Sequence, residues 1–288
     1  MFEEEKEIRL RDYKKVRYMV SFLKNIILYQ NKKVNIPVLE VWGSSQCNLK
    51  CKECISRIPF VQQKKMCTDK VIQSIAKLSG IAKLNRIIIS GGEPFLNSDL
   101  HRIVSCVVRL PEVKKIYIVT NAMFMPDEKI MGVLSKAVKP IKIVMNEYQG
   151  VANRIKDIKI ELEKRGIRYR VRKLGTYRWN GIGNDICHPL HFETGRMIYA
   201  DCRMRNYAVL HENMITKCPR GILYSQKSNI KHYAVEHIKI SDLKCGTVSR
   251  AKLAVCLDQN IHKEYCRNCF GLSNENPYLD EPGIQIKE

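Results

Sequence analysis

The sequence contains no uncharged apolar run long enough to cross a bilayer, so no transmembrane helix is predicted. The run that comes closest, residues 18–29, is interrupted by Lys24 and Asn25. Because basic residues flank this run, residues 14–33 are compatible with an amphipathic helix that makes peripheral contact with a membrane or an acidic partner. Packing against the body of the protein is the favoured alternative, since most amphipathic helices bury one face in that way.

Acidic residues are scarce relative to basic ones, with 29 Asp and Glu against 50 Lys and Arg and a formal net charge of +21. This imbalance favours anionic partners, among them phosphorylated substrates, nucleic acid and acidic membrane surfaces. The excess is spread along the chain, and the basic-aromatic pattern of an RNA-binding sheet is missing. A small anionic substrate is therefore favoured over nucleic acid.

Cysteine, by contrast, is plentiful, with twelve residues in a chain of 288. The cysteines are too clustered to be scattered core residues, and no signal-peptide pattern indicates the oxidising compartment that disulfides need. Metal binding in a reducing cytoplasm is the favoured interpretation. With 45% hydrophobic residues, the chain can bury a large core as one big domain or as a medium domain with a smaller one.

Three of the cysteines lie close together in the run Cys-Asn-Leu-Lys-Cys-Lys-Glu-Cys. They are Cys47, Cys51 and Cys54, and they follow the apolar run 38–42 and a Gly-Ser-Ser turn. The apolar run predicts a buried strand, with the cysteines in its exit loop. Thiolates suit iron–sulfur clusters and zinc, and three of them can hold three corners of a four-iron cluster and leave one iron open for chemistry.

Helix-like and strand-like stretches alternate after this loop. Helices are predicted over 70–78, 99–108, 127–137 and 151–164, and strands over 85–90, 115–119, 141–145 and 167–173. Such alternation is typical of βαβ units in a parallel sheet, where functional loops lie at the carboxyl ends of the strands. The alternation ends near residues 176–184, where we expect a domain boundary.

A second motif, Ser90-Gly91-Gly92-Glu93-Pro94, follows the second predicted strand. The CxxxCxxC triad and this motif, in this order at consecutive strand ends, resemble the radical S-adenosylmethionine (SAM) superfamily. The resemblance implies a 4Fe–4S cluster that is held by the three cysteines and by SAM. It also implies that one electron, from a reductant such as flavodoxin or ferredoxin, cleaves SAM to a 5′-deoxyadenosyl radical that abstracts hydrogen from the substrate.

The resemblance assigns SAM-binding roles to single residues. It implies that Gly91 and Gly92 let the backbone approach the methionine part of SAM, and that Glu93 fixes the segment that receives the ammonium group. The residues after the third and fourth strands match positions that commonly contact the ribose or carboxylate, although Asn there is also a frequent turn former. The SAM-binding residues implied in this way are Ser90, Gly91, Gly92, Glu93, Pro94, Thr120, Asn121 and Asn146.

Four cysteines in the second half, Cys202, Cys218, Cys266 and Cys269, resemble the ligands of the twitch domain. This domain is a shortened SPASM domain that carries an auxiliary 4Fe–4S cluster. Four thiolates close such a site, so the resemblance implies an electron-relay or structural role. A zinc site with the same ligands is the alternative, because Cys-x-x-Cys spacing suits zinc equally well.

Five cysteines remain outside these two sets. Cys67 and Cys106 lie in or beside predicted helices and are expected to be small buried hydrophobes. Cys187, Cys245 and Cys256 lie in the irregular part of the sequence. Each is a candidate hydrogen donor to a substrate radical, as thiols are in related epimerases, and an inert thiol is the favoured alternative.

The strand 167–173 alternates apolar residues with Arg168, Arg170 and Arg172. If the arginine face points into the barrel mouth, it can grip phosphate or carboxylate groups through charge-assisted hydrogen bonds. If the strand lies at an open edge, the same arginines face water. The sequence favours neither alternative.

The resemblance implies an α/β fold, a partial (β/α)6 TIM-like barrel with a small C-terminal cysteine-rich iron–sulfur domain. We expect a helical N-terminal extension over 1–37, the barrel over 38–180, the auxiliary-cluster domain over 181–273 and a loosely packed tail over 274–288.

The function that the resemblance favours is oxidation or epimerisation of a carbohydrate-like substrate at a carbon bearing hydroxyl. A peptide-modifying radical SAM maturase is the second alternative, although residues 1–37 are too few for the winged-helix module that often grips a leader peptide. A third alternative is a non-enzymatic, zinc-stabilised nucleic-acid-binding protein, which the positive charge suggests.

Overall fold

The computed structural model describes residues 2–149, 151–183, 190, 192–226 and 236–286. Its helices and strands are, in chain order, α1 (Phe2–Leu28), β1 (Val34–Ser44), α2 (Thr68–Ile81), β2 (Ala82–Gly91), α3 (Leu100–Arg109), β3 (Lys115–Thr120), α4 (Glu128–Ser135), β4 (Ile141–Asn146), α5 (Ala152–Lys164), β5 (Tyr169–Arg172), β6 (Trp179–Asn180), α6 (Phe192–Ala200), β7 (Tyr207–His211), β8 (Met214–Thr216), α7 (Pro219–Ser225), β9 (His237–Lys239), α8 (Thr247–Cys256) and β10 (Leu279–Asp280).

One sheet forms the centre of the described structure, with the strand order β5-β4-β3-β2-β1-β7-β8-β9. Strands β1 to β5 and β7 run parallel, and β8 and β9 are antiparallel to their neighbours. Strand β1 is buried along most of its length. Its near-continuous apolar run is what a central parallel strand requires, because both of its faces are covered.

Helices α2 to α5 connect successive parallel strands and cover the outer face of the sheet. Val71, Ile75 and Leu78 of α2 share one side of that helix and are wholly buried in the main core. This spacing of three and four residues is the apolar stripe of an amphipathic helix. Asp127 begins α4, because its side chain accepts a hydrogen bond from the N–H of Ile130 at 2.9 Å.

The sixth parallel strand, β7, does not occupy the position that a (β/α)6 barrel predicts for it. In such a barrel it would extend the sheet beyond β5, whereas here β7 pairs with the opposite edge of β1. The sheet is therefore continuous across the domain boundary predicted near residues 176–184. The physical reason is the free edge of β1, whose N–H and C=O groups need partners once the strand is buried.

Two elements, β1 and α2, have bounds that differ from the predicted ones. Strand β1 begins at Val34, inside the region expected to be an N-terminal extension. Helix α2 continues through Gly80 to Ile81 rather than ending at the glycine, because β2 follows directly at Ala82 and leaves no room for a loop.

The C-terminal segment is not the loosely packed tail that the sequence predicts over 274–288. Strand β10 pairs antiparallel with β6. Further on, the N–H of Lys52 donates to the carbonyl of Ile284, and the N–H of Ile286 donates to the carbonyl of Lys50, both at 2.8 Å. The segment is held because its backbone groups pair with the cysteine loop after β1, a contact that polar composition alone does not reveal.

Helix α1 packs against α8 with one face. None of the helices in the described ranges is both long enough and apolar enough to pass through a bilayer.

Candidate functional site

The carboxyl ends of β1 to β4 open onto a cavity of about 600 Å³. Parallel strands bring their exit loops to one edge of the sheet, which explains why residues far apart in sequence meet there. The sequence-predicted residues that line this cavity are Cys47, Cys51, Cys54, Ser90, Gly91, Gly92, Glu93, Thr120, Asn121 and Asn146. Pro94, which the resemblance placed with them, is buried beside Gly43 and does not line the cavity.

Two glycines let the loops after β1 and β2 pack against each other. Gly91 has a φ of 98°, and a Cβ on it would lie 2.6 Å from the carbonyl oxygen of Ser44. A Cβ on Gly92 would overlap the carbonyl oxygen of Gln46. The N–H groups of Gly92 and Glu93 donate to these two carbonyls at 2.8 and 2.9 Å. The glycines are thus required by the contact between the loops, whatever ligand binds.

Glu93 connects the ends of β2 and β3. Its buried carboxylate accepts hydrogen bonds from the N–H of Phe95 at 3.1 Å, the hydroxyl of Thr120 at 2.8 Å and the N–H of Asn121 at 2.8 Å. Burial raises the pKa of Glu93 to about 7, and these hydrogen bonds act in the opposite direction. Glu93 therefore fixes two strand ends that line the cavity.

N–H groups are directed at the sulfurs of the first cysteine set. The N–H of Leu49 donates to Cys47 Sγ at 3.4 Å, and Gln285 Nε2 donates to Cys51 Sγ at 3.3 Å. Burial raises the pKa of Cys47 to about 12, that of Cys51 to about 11, and that of Cys54 as well. The N–H donors stabilise the thiolate form of these cysteines, whereas burial destabilises it. Three buried thiolates therefore need a positively charged group, such as iron ions, to compensate their charge.

Two buried acceptor or hydroxyl groups on the cavity wall have no hydrogen-bond partner among the described residues. They are Asn146 Oδ1 and the hydroxyl of Tyr177. Because buried polar groups normally find partners, these atoms mark places where a polar ligand can bind.

Glu40 of β1 lines the same cavity, and the sequence pattern did not reveal it as a site residue. Its buried carboxylate accepts a hydrogen bond from Ser90 Oγ at 2.8 Å, and burial raises its pKa. Burial, and then the charge of Glu40, also raise the pKa of Tyr207 on the neighbouring strand β7. A signal was present, since a lone carboxylate in a buried apolar strand is costly without a role.

The arginine face of β5 points toward the cavity, which Arg170 and Arg172 line. Arg168 lies just before β5 and, by the two-residue period, on the same side as Arg170 and Arg172. Strand β5 is also an edge of the sheet, so Arg170 and Arg172 remain exposed to solvent. Arg170 and Arg172 therefore both line the cavity and face solvent at the sheet edge, so each of the two alternatives predicted from the sequence is partly correct. Neither Arg170 nor Arg172 forms an ion pair within the part of the chain that the structure describes.

The later cysteine set meets at a second, smaller cavity of about 40 Å³. It is lined by Cys202, Cys218, Cys266 and Cys269 together with mostly apolar side chains. Burial raises the pKa of Cys218 to about 12 and raises those of Cys266 and Cys269 as well. Four thiols around one apolar cavity fit a group that shares the charge of four thiolates.

No set of three or more Cys, His, Asp or Glu side chains within the described ranges is arranged to hold one metal ion. A structural zinc site needs four ligands about 2.3 Å or less from a single point. In a 4Fe–4S cluster, by contrast, each cysteine binds its own iron, so the sulfurs lie farther apart. A zinc ion and a 4Fe–4S cluster therefore require different distances between the cysteine sulfurs.

A single layer of side chains separates the two cavities. Three residues line both cavities, namely Ile55, Met204 and Leu272. Arg57 lies beside this layer, fully buried and with a φ of 56°. Burial and the charge of Arg220 lower the pKa of Arg57 to about 10, while Cys54 and Cys269 act in the opposite direction. Arg57 is therefore within electrostatic reach of both cysteine sets.

The other cysteines do not join either set. Cys106 is buried in α3, as predicted, whereas Cys67 is exposed because it stands at the N-cap of α2. Cys245 is exposed and Cys256 is buried in α8, and neither lines the large cavity. Cys187, the third candidate hydrogen donor, lies outside the described residues.

The family model described as the radical SAM superfamily matches residues 43–224. Among curated proteins, a GTP 3′,8-cyclase of Clostridium acetobutylicum is 27% identical over 93 residues, which are 32% of this chain and 29% of that protein. A GTP 3′,8-cyclase of Aquifex aeolicus is 23% identical over 121 residues, 41% of this chain and 38% of that protein. The chain thus spans well under half the length of these curated relatives.

Among solved structures, BtrN in complex with AdoMet and 2-DOIA has a TM-score of 0.52 at 16% identity, over 88% of this chain and 98% of BtrN. Streptococcus suis SuiB bound to its precursor peptide SuiA has a TM-score of 0.42 at 18% identity, over 57% of this chain and 38% of SuiB. The likeness to BtrN is one of fold, an α/β fold with a parallel sheet.

Proposed function

Because this chain belongs to the radical SAM superfamily, we propose that Cys47, Cys51 and Cys54 hold a 4Fe–4S cluster and that SAM binds beside it in the large cavity. When bound, the cluster supplies the electron that cleaves SAM to a 5′-deoxyadenosyl radical, which abstracts hydrogen from the substrate. One observation carries this proposal: the cysteine loop, the glycine motif and the ends of β3 and β4 meet at one cavity.

The residues around the cysteines position SAM. Gly92 and Glu93 hold the loop after β2 against the cysteine loop, so the two parts of the site keep a fixed separation. Asn121 Nδ2 donates to Asn48 Oδ1 at 2.8 Å, which ties the end of β3 to the same loop. Asn146 offers its unpartnered Oδ1 to a hydroxyl or ammonium group of the ligand.

The substrate side of the cavity suits a hydroxylated, anionic molecule. Arg170 and Arg172 supply donors for phosphate or carboxylate, and Glu40 supplies a buried acceptor for hydroxyl groups. The favoured reaction is oxidation or epimerisation of a carbohydrate-like substrate at a carbon bearing hydroxyl. For oxidation, Glu40 would accept the hydroxyl proton of the substrate once its carbon has given up a hydrogen atom. Cys202, Cys218, Cys266 and Cys269 would hold the group that accepts the remaining electron, and the product would be a carbonyl compound.

We also propose that Cys202, Cys218, Cys266 and Cys269 hold an auxiliary 4Fe–4S cluster, as twitch domains do. The four thiols share one cavity, and a single layer of side chains separates it from the first, which suits the passage of an electron. Iron and sulfide counted after anaerobic reconstitution test this. About eight of each per chain are expected for the parent, and about four for Cys202→Ala. Equal counts in the two proteins would refute the auxiliary cluster.

A nucleotide is the second candidate substrate. The curated relatives are GTP 3′,8-cyclases, and a triphosphate also fits the charge of Arg170 and Arg172. The remaining alternatives are weaker. No contact among the described residues favours a peptide, and a non-enzymatic nucleic-acid binder does not agree with membership of an enzyme superfamily.

The test of the proposed function is the transfer of substrate deuterium to 5′-deoxyadenosine. The reduced protein is incubated with SAM and with deuterated sugars, sugar phosphates or GTP. Cys47→Ala is expected to form no 5′-deoxyadenosine. Arg172→Ala is expected to raise the KM for a phosphorylated substrate at least tenfold, whereas Arg168→Ala, on the same side of β5 but away from the cavity lining, should leave it unchanged. Formation of 5′-deoxyadenosine by Cys47→Ala would overturn the assignment of the cluster.

A further inference from the structure

Helix α1 carries a row of aliphatic side chains on the face turned away from the protein. Val16, Val20, Leu23 and Ile27 follow one another at intervals of four, three and four residues, which places them in one stripe. Their exposed fractions run from 55% for Val16 to 73% for Ile27. Met19 widens the stripe and is also more than half exposed. We call these five residues the α1 stripe.

The opposite face of α1 contacts the protein through polar and aromatic groups. Ser21 Oγ donates to Asp258 Oδ2 at 3.3 Å, and Arg17 Nη2 donates to the carbonyl of Asn260 at 3.1 Å. The ring of Tyr18 lies 5.6 Å from Lys263 Nζ. This inward face also carries Phe22 and Ile26, both half-buried, so α1 has apolar side chains on two faces, whereas a surface helix usually has them only on its buried face.

The charges around the stripe favour an anionic surface. Residues 14–33 contain six basic side chains and no acidic one, whereas residues 2–13 contain five acidic and three basic ones. Of the six, Lys33 pairs with Glu112 at 3.0 Å, and Arg17 is the residue that donates to the carbonyl of Asn260. At 100° per residue, Lys15 lies on one side of the stripe and Lys24 on the other, next to Val16 and Leu23. Long lysine side chains beside an apolar stripe can reach lipid headgroups while the aliphatic groups enter the acyl boundary.

We propose that the α1 stripe binds in the interfacial layer of an anionic lipid bilayer and attaches the enzyme to a membrane surface. A second copy of the chain fits the stripe less well, since pairing would bring Lys15 and Lys24 of one copy near those of the other. The stripe is also narrow and lies on a convex helix, which suits a planar surface.

Sedimentation of the anaerobically reconstituted protein with lipid vesicles tests the proposal. Phosphatidylcholine vesicles are compared with vesicles that contain about one-third phosphatidylglycerol. We expect binding to the anionic vesicles only, with weakening at high salt. Leu23→Glu combined with Ile27→Glu should lower the fraction bound at least tenfold. The matched control, Val138→Glu with Ile160→Glu, adds the same charge at two exposed aliphatic positions on other elements and should bind as the parent does.

Thermal unfolding of both double variants checks that each still folds, and a stripe variant that keeps its unfolding temperature makes the comparison valid. For a variant that does not fold, Lys24→Ala replaces it and should lower binding several-fold. The proposal is overturned if the parent does not bind anionic vesicles, or if the control variant loses binding equally. It is also overturned if light scattering without lipid shows a dimer that the stripe variant lacks, because the stripe then serves a second copy.

Discussion

Gly92 shows how a single position sets the distance between the two loops of the site. The hydrogen atom at its Cα occupies space next to the carbonyl of Gln46, and its N–H donates to the carbonyl of Ser44 at 2.8 Å. Any larger side chain separates the glycine motif from the cysteine loop. The residue therefore matters through the contact between loops, and its effect on SAM follows from that contact.

Gly92→Ala is expected to lower the free energy of unfolding by about 2–3 kcal/mol, because the backbone of the cysteine loop must move to admit a methyl group. Gly80→Ala is the matched control. Gly80 lies within α2 with no atom near its missing Cβ, so alanine there should raise the free energy of unfolding by about 0.5–1 kcal/mol. Urea unfolding measures both. Equal effects of the two changes would contradict the explanation.

Glu93→Gln is expected to remove a pH dependence of stability. The pKa of Glu93 is raised from 4.5 to about 7, so between these values the folded protein holds a proton that the unfolded chain has released. The free energy of unfolding of the parent therefore falls as the pH rises from about 4.5 to about 7, by up to about 3 kcal/mol. Glutamine does not titrate, so the difference between variant and parent should grow with pH in urea unfolding. A constant difference would show that Glu93 does not carry this effect.

At the scale of elements, the local sequence pattern predicts the βα units between β1 and β5 well, but it does not predict which strand β7 pairs with. The alternation of apolar residues and the cap at Asp127 are local signals, and β3, β4 and α5 lie within one residue of their predicted bounds. Strand β7 is equally regular, but its partner β1 lies far away in sequence. The sequence contains no local signal for that pairing, nor for the pairing of the C-terminal segment with the cysteine loop.

Gln285 tests the role of that C-terminal segment. Gln285 Oε1 accepts the N–H of Lys50 at 2.6 Å, and Nε2 donates to Cys51 Sγ at 3.3 Å. Gln285→Ala should lower the free energy of unfolding by about 1–2 kcal/mol and speed the release of iron to a chelator. Gln285→Glu keeps the acceptor but places a carboxylate oxygen where Nε2 donates to the carbonyl of Gly283 at 2.6 Å and to Cys51 Sγ, so neither stability nor iron retention should recover. Iron release from Gln285→Ala at the parent rate would contradict this role.

At the scale of the whole molecule, the two cysteine sets belong to one sheet. Strand β1 carries the first set in its exit loop and pairs on its other side with β7, which lies just after Cys202. The sequence predicts both cysteine sets, because cysteines separated by two or three residues are a recognised pattern of metal or cluster ligands. The lone carboxylate of Glu40 in an apolar run was a signal of a role, but the run alone does not show that Glu40 faces the cavity, because this depends on how the strands assemble.

A fragment of residues 38–180 is expected not to fold on its own. It lacks β7 and the C-terminal segment, so the edge of β1 and the cysteine loop lose their partners. Circular dichroism and size-exclusion chromatography should show an unfolded or aggregated fragment. A fragment of residues 29–286, which lacks α1 but keeps every strand of the sheet, should unfold in one cooperative transition. A monomeric 38–180 fragment with a cooperative transition would show that the barrel is an independent domain.

The hydrogen bonds between the cysteine loop and the last turn of the chain also bear on biosynthesis. Lys50 and Gln285 are 235 positions apart, so the ribosome must add 235 residues after Lys50 before the loop acquires this neighbour. Until then the first three thiols stand on an unsupported nascent segment. A cluster inserted during translation would bind a loop that still lacks its hydrogen bonds to residues 284–286. We therefore expect cluster insertion to be most effective after residue 286 has left the ribosome.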